Sequence, residues 1–170
     1  MMLTPPKKAV LDTGPLFTLL TLRYSQERPD LRESLRYKHG LPQYLPDPTS
    51  EREFFDYLWN IPALLTSAHV IGELRSRHKI AKNLSADFWR CAMGFFEEKK
   101  LDERSIPVRA LHQDRLFQKI ACELRPTDAG LLLLARQESC ELLTDDEQMF
   151  QWQPADGNPA IRLIQYSFKP

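Results

Sequence analysis

Cysteine is scarce in this chain: three residues in 170, at Cys91, Cys122 and Cys140, widely spaced and odd in number. That pattern excludes a disulfide framework and reads as reduced, semi-buried thiols of a cytoplasmic protein. Glycine is nearly as scarce, at six residues, and none precedes a lysine, so there is no phosphate-cradling P-loop. A Gly-x-Ser-x-Gly elbow for a hydrolase serine is missing too. The four histidines (His39, His69, His78, His112) have no zinc-ligand spacing with each other or with the cysteines. Long apolar runs are lacking; the longest, Leu131 to Ala135, falls far short of the ~20 residues of a membrane span, which predicts no membrane association. The opening Met-Met-Leu-Thr-Pro-Pro-Lys-Lys has charge without a following apolar stretch and does not read as a secretory signal. Net charge is also absent, with 23 Lys and Arg against 23 Asp and Glu, so a nucleic-acid partner would need a local basic patch.

What is present is an ordinary globular composition, 42% apolar and 27% charged, on a length that suits one domain spanning residues 1–170. Such a chain buries enough surface to fold without a metal or disulfide staple. Apolar runs predict strands at Lys8–Asp12, Ala63–Thr66, Ser105–Arg109, Cys140–Leu143 and Ile161–Gln165. Helical spacing predicts helices from Pro15 to Tyr24, Glu51 to Trp59, Ser67 to Lys82, Leu111 to Leu124, Asp128 to Gln137 and Glu147 to Gln151. A further helix runs from an expected Ser85 N-cap to Lys100. Between Ser25 and Ser50 four prolines and scattered charges mark an inserted excursion after the first helix, with a short helix near Leu31 to Tyr37. Strands and helices alternate, which predicts a three-layer α/β/α domain around a mainly parallel sheet. Ligands of such sheets sit beyond the carboxyl ends of the strands, where strand order reverses.

Acids collect at those ends. Asp12 closes the first strand, Asp145 and Asp146 follow the fourth, Asp128 opens the helix leading into it, and Glu73 lies two turns into the helix after the second strand. Carboxylates brought together repel one another unless a hard cation holds them, and oxygen-only ligation suits Mg²⁺ or Mn²⁺. Such an ion can activate water against a phosphodiester. Each acid also has a plain structural role open to it. Asp12 with Thr13 can cap the first helix, Thr127-Asp128 can cap the next, Thr144-Asp145-Asp146-Glu147 fits a capping box, and Glu73 can be a solvated helix acid.

The wording around the acids adds to this. Val-Leu-Asp-Thr-Gly-Pro-Leu (Val10 to Leu16), Ser-Ala-His-Val-Ile-Gly-Glu-Leu (Ser67 to Leu74), Thr-Asp-Ala-Gly-Leu-Leu-Leu-Leu-Ala (Thr127 to Ala135) and Leu-Leu-Thr-Asp-Asp-Glu-Gln-Met-Phe (Leu142 to Phe150) occur in that order. The chain thereby resembles the PIN-domain nucleases, which include the VapC-type toxins of toxin–antitoxin pairs, from about Lys8 to Gln165, apart from the excursion. The resemblance implies a divalent-metal-dependent endoribonuclease using Mg²⁺ or Mn²⁺. It assigns Asp12, Glu73 and Asp128 as the first three catalytic, metal-binding acids. The fourth falls on Asp146, with Asp145 as a supporting or substitute ligand. Thr13 and Thr144 become hydroxyls that orient carboxylates or bound water. It further implies an antitoxin protein and a homodimer as partners.

Substrate phosphates need cations nearby. Arg75, Arg77 and Lys79 follow Glu73 on its helix, and Arg23, Arg28, Arg32, Arg36 and Lys38 lie in or beside the excursion; a solvated face complementing the helix dipole is the favoured reading of the basic helix end. Tyr24, Tyr37 and Tyr44 offer either base-stacking faces or anchors to the core, the anchor being the favoured reading. Two other functions stay open on the sequence: a PIN-like RNA-binding or interaction module whose catalysis has lapsed, and an RNA-processing nuclease with no toxin role.

Overall fold

The computed structural model describes residues 4–38, 41–42, 44–77, 82–99, 101–154 and 157–167. Strands β1 (Lys8–Leu11), β2 (Ala63–Thr66), β3 (Asp102–Glu103), β4 (Glu141–Thr144) and β5 (Ile161–Leu163) form one sheet in the order β3-β2-β1-β4-β5, every neighbour parallel. Val10 sits at the centre, in register with Leu65 on one side and Leu142 on the other. Consecutive apolar residues in β1, β2 and β4 are buried, as a sheet covered on both faces requires.

The helices are α1 (Thr13–Glu27), α2 (Arg32–Lys38), α3 (Pro48–Trp59), α4 (Ala68–Arg77), α5 (Lys82–Lys99), α6 (Val108–Gln113), α7 (Arg115–Ala121), α8 (Pro126–Gln137) and α9 (Glu147–Gln151). Helix α1 packs against α3, α4 and α5, while α8 packs against β1, β4 and α7. Right-handed crossovers put the first group on one face and the second on the other, giving the three-layer α/β/α arrangement. From β1 the chain steps outward through β2 and β3, then returns to lay β4 on the other side of β1. The switch point therefore lies between the carboxyl ends of β1 and β4.

Several boundaries differ from the sequence expectation. The third strand is Asp102–Glu103, not Ser105–Arg109: Pro107 precedes α6, and the ladder runs through the backbones of Leu65–Thr66 and residues 102–103. The predicted helix from Leu111 to Leu124 is two helices, because the Asp114 carboxylate accepts from the Leu116 and Phe117 N–H groups and starts α7 afresh. Ser85 lies inside α5 and is not its cap. The excursion is largely helical. Helix α1 continues to Glu27, Pro29–Leu31 form a 3-10 turn, and Asp47 caps α3 with Pro48 in its first turn. Leu35, Tyr44 and Leu45 are buried in the common core, and Arg32 pairs with the nearly buried Glu51 at 2.7 Å. Tyr24 and Tyr44 are buried as anchors, Tyr24 edge-on to Phe88 at 5.6 Å. The side chain of Tyr37 lies outside the described residues.

Candidate functional site

The carboxyl ends of β1 and β4 are tied together before any side chain is considered, since the Asp12 N–H donates to the Leu143 carbonyl at 3.0 Å. Asp12 then caps α1, its Oδ1 accepting from the Thr13 N–H at 2.6 Å. Its Oδ2 accepts from the fully buried Thr144 hydroxyl, at the end of β4, at 2.8 Å. The same Thr144 oxygen accepts the Asp146 N–H at 3.0 Å. On the other side, the buried Thr13 hydroxyl donates to Glu73 Oε2 of α4 at 2.8 Å. Asp146 caps α9, accepting at Oδ1 from Gln148 and Met149. Its Oδ2 faces the Arg125 guanidinium at 3.8 Å, and that guanidinium reaches Asp128 Oδ2 at 3.5 Å. Glu73, Thr13, Asp12, Thr144, Asp146, Arg125 and Asp128 thus form one continuous chain of hydrogen bonds and ion pairs. It joins four acids from four separate parts of the sequence.

Asp128, in the first turn of α8, is the electrostatic focus. Burial pushes its carboxyl up to about 6, and the neighbouring charges of Asp12, Asp146 and Glu73 add to the rise, while Arg125 opposes it. Asp12 and Asp128 are both buried, as candidate ligands in the groove of a switch point would be. Asp12 and Asp146 perform the helix-capping roles open to them, whereas Thr127 and Asp128 do not cap α8: its N-cap is Arg125 and Asp128 lies within the first turn.

Asp145 and Asp146 are separated by geometry. Asp145 lies against the Gly14 backbone, where a Cβ on residue 14 would meet its Oδ1 at 1.9 Å. It also bears on Tyr44, whose hydroxyl is pushed well above its ordinary range by burial and then by the Asp145 charge. The glycine of the first motif is therefore a matter of room: any side chain there would evict a carboxylate.

The sequence did not single out Arg125. Its only signal was its place three residues before Asp128. The candidate phosphate-binding residues Arg75, Arg77 and Lys79 lie outside the described side chains. Cys91 is buried and Cys140 partly buried, with both thiols pushed upward chiefly by desolvation, whereas Cys122 is exposed. Among the described residues no group of three or more His, Cys, Asp or Glu side chains stands close enough to hold a metal ion. The acids are turned instead toward local donors: Thr13, Thr144, the α9 amides and Arg125. In donor chemistry the set fits a hard divalent cation, being all oxygen, partly desolvated and mutually repelling at Asp128.

Comparisons of the chain with protein-family models, with curated proteins and with solved structures give no match. Among the described residues no helix is long and apolar enough to cross a membrane.

Proposed function

We propose that this protein is a divalent-metal-dependent endoribonuclease acting on RNA phosphodiester bonds. The observation that carries the proposal is the unbroken chain of contacts linking Glu73, Asp12, Asp146 and Asp128 at the switch point of a parallel sheet. A structural role explains any one of these acids. It does not explain why Asp12, Asp146 and Glu73 all stand near enough to Asp128 to raise the cost of charging it.

In this reading Asp12, Asp128 and Asp146 hold the ion, with Glu73 serving a second, weaker ion or orienting water. Bound there, Mg²⁺ or Mn²⁺ supplies Lewis acidity and charge neutralisation at the phosphodiester. The chain's own contribution is positional. Thr144 fixes Asp12 with one hydrogen bond and the turn to Asp146 with another, so both carboxylates are set by a single buried hydroxyl. Thr13 holds Glu73 against the start of α1. Arg125, largely exposed and already facing two acids, is placed to meet a substrate phosphate.

The test is cleavage of a labelled RNA by purified protein with Mn²⁺ or Mg²⁺ and with EDTA. Wild-type protein is expected to cleave with the ion only, and Asp12→Asn is expected not to cleave. Unchanged ion-dependent cleavage by Asp12→Asn contradicts the assignment. An antitoxin and a second copy of the chain enter this reading through the PIN resemblance alone. Growth arrest on expression, relieved by Asp12→Asn, is the outcome expected of the toxin role; cleavage without arrest favours RNA processing.

A further inference from the structure

Beside the acidic site lies a second feature that the catalytic reading does not use. A cleft of about 770 Å³ opens between α7, α8 and α9, lined by Lys119, Glu123, Arg136, Gln148 and Trp152 among others. We propose that this cleft binds a nucleotide unit of a single-stranded RNA substrate away from the scissile bond, with Trp152 as the stacking surface for a base. The inference rests on the nuclease reading for its substrate and extends it to a second contact.

Three observations carry it. The first is the platform itself. The partly buried Trp152 indole is fixed at its edge, its Nε1–H donating to Glu123 Oε2 at 2.7 Å, while Gln148 Nε2 donates to the Glu123 carbonyl at 3.2 Å. The ring is held at its edge and packs partly on the core, with Lys119 over it, so the surface it offers a base is the part that lines the cleft, and base–aromatic stacking tolerates any base. The second is charge. Lys119 Nζ lies 5.7 Å from the ring centroid, and the Arg136 guanidinium lines the same cleft while donating to the Asn158 carbonyl at 3.2 Å. The Lys119 ammonium beside the indole matches a phosphate next to its base, and Glu123, the acid among the described lining residues, is turned to the indole N–H. The third is continuity with the catalytic end. Helix α9 is flanked by Asp146, one of the four acids, at its N-cap and by Trp152 at its C-cap; six residues at about 1.5 Å each separate the two by about 9 Å along the axis. That is two to three stacked nucleotides at about 3.4 Å each. The other wall is shared as well: Glu123 in the cleft is two residues from Arg125, which faces Asp128 and Asp146. One strand can therefore lie across the acids and place a neighbouring base on Trp152.

The experiment is titration of the full-length protein, in EDTA, with a single-stranded oligoribonucleotide of about ten nucleotides, within the usual range for one binding surface. Tryptophan fluorescence and anisotropy of a label on the RNA are followed together. Binding with quenching is expected. Trp152→Phe, which leaves Trp59 and Trp89 in place, should abolish most of the quench while keeping much of the affinity. Trp152→Ala should weaken binding about tenfold or more. Lys119→Ala, at an exposed position, should lower the slope of log affinity against log salt by about one. No binding by wild-type protein, a quench that survives Trp152→Phe, or an unchanged salt slope in Lys119→Ala overturns the proposal. Because no ion is present, the result is separate from catalysis. Protein that cleaves RNA without these Trp152 effects refutes the cleft alone; protein that shows them without cleaving refutes the nuclease reading alone.

Discussion

Asp128→Asn should stabilise the protein when no divalent ion is bound. The carboxyl is pushed from its ordinary 3.8 up to about 6, chiefly by burial and then by Asp12. At about 1.36 kcal/mol per pH unit, charging it in the folded chain costs roughly 3 kcal/mol as an upper figure. Asparagine keeps the shape and removes the charge, but also gives up an acid in the first turn of α8, which contributes roughly 0.3–1 kcal/mol against the helix dipole. The net gain is about 2 kcal/mol, or about 4–8 °C in Tm for a chain of this size. The pH dependence follows from the direction of the shift. A carboxyl whose folded value is raised destabilises the fold fully above about pH 6, and the penalty disappears as pH falls to the unfolded value near 3.8. The advantage of Asp128→Asn should therefore be complete at about pH 8 and roughly halved at about pH 5. Thermal unfolding of both proteins in EDTA at the two pH values is the assay. A variant less stable than wild type at the higher pH, or a difference that does not change with pH, would mean that the Asp128 charge does not destabilise the fold.

Other outcomes follow from the same geometry. Thr144→Val removes a buried hydroxyl that serves both Asp12 and the Asp146 N–H, so about 1–3 kcal/mol of stability should be lost in urea unfolding, together with ion-dependent cleavage. Gly14→Ala would drive a methyl into the Asp145 carboxylate; a loss of about 1–3 kcal/mol is expected, and a parallel fall in Mn²⁺ affinity would mark Asp145 as a contributor to the ion site. Arg125→Ala should tighten Mn²⁺ binding in calorimetry, since it removes a cation facing two candidate ligands, while raising KM for RNA. Excising residues 28–48 takes Leu35, Tyr44 and Leu45 out of the core at roughly 2–5 kcal/mol each, so the product should show no cooperative unfolding transition.

The elements legible in the sequence were those whose burial is written in side chains. Ala9 to Leu11, Leu64 to Leu65 and Leu142 to Leu143 are apolar because helices cover both faces of the sheet, and runs of that kind announce themselves. Strand β3 could not be read this way: Asp102 and Glu103 join the edge through backbone groups, and their side chains follow no strand pattern. The proline-rich stretch reads as irregular because prolines such as Pro29 and Pro48 commonly break structure, whereas here each sits in the first turn of a helix, where its missing N–H costs nothing. In the site, the acids were visible because they close strands or open helices. Arg125 was not, because an exposed cation is common and only the fold sets it between Asp128 and Asp146. The Trp152 cleft was equally hidden: it needs the turn after α7, at Glu123, to meet α9 and Trp152, distant in sequence.

In the proposed function four acids, scattered from residue 12 to residue 146, act as one cation site. Calorimetric titration of the purified protein with Mn²⁺ measures it most directly, run beside Asp12→Asn and Asp128→Asn with unfolding curves confirming that all three are folded. Saturable binding by wild type that is lost or strongly weakened in both variants is the result expected. Wild-type protein that takes up no Mn²⁺, or variants that bind it as tightly as wild type, would contradict the claim.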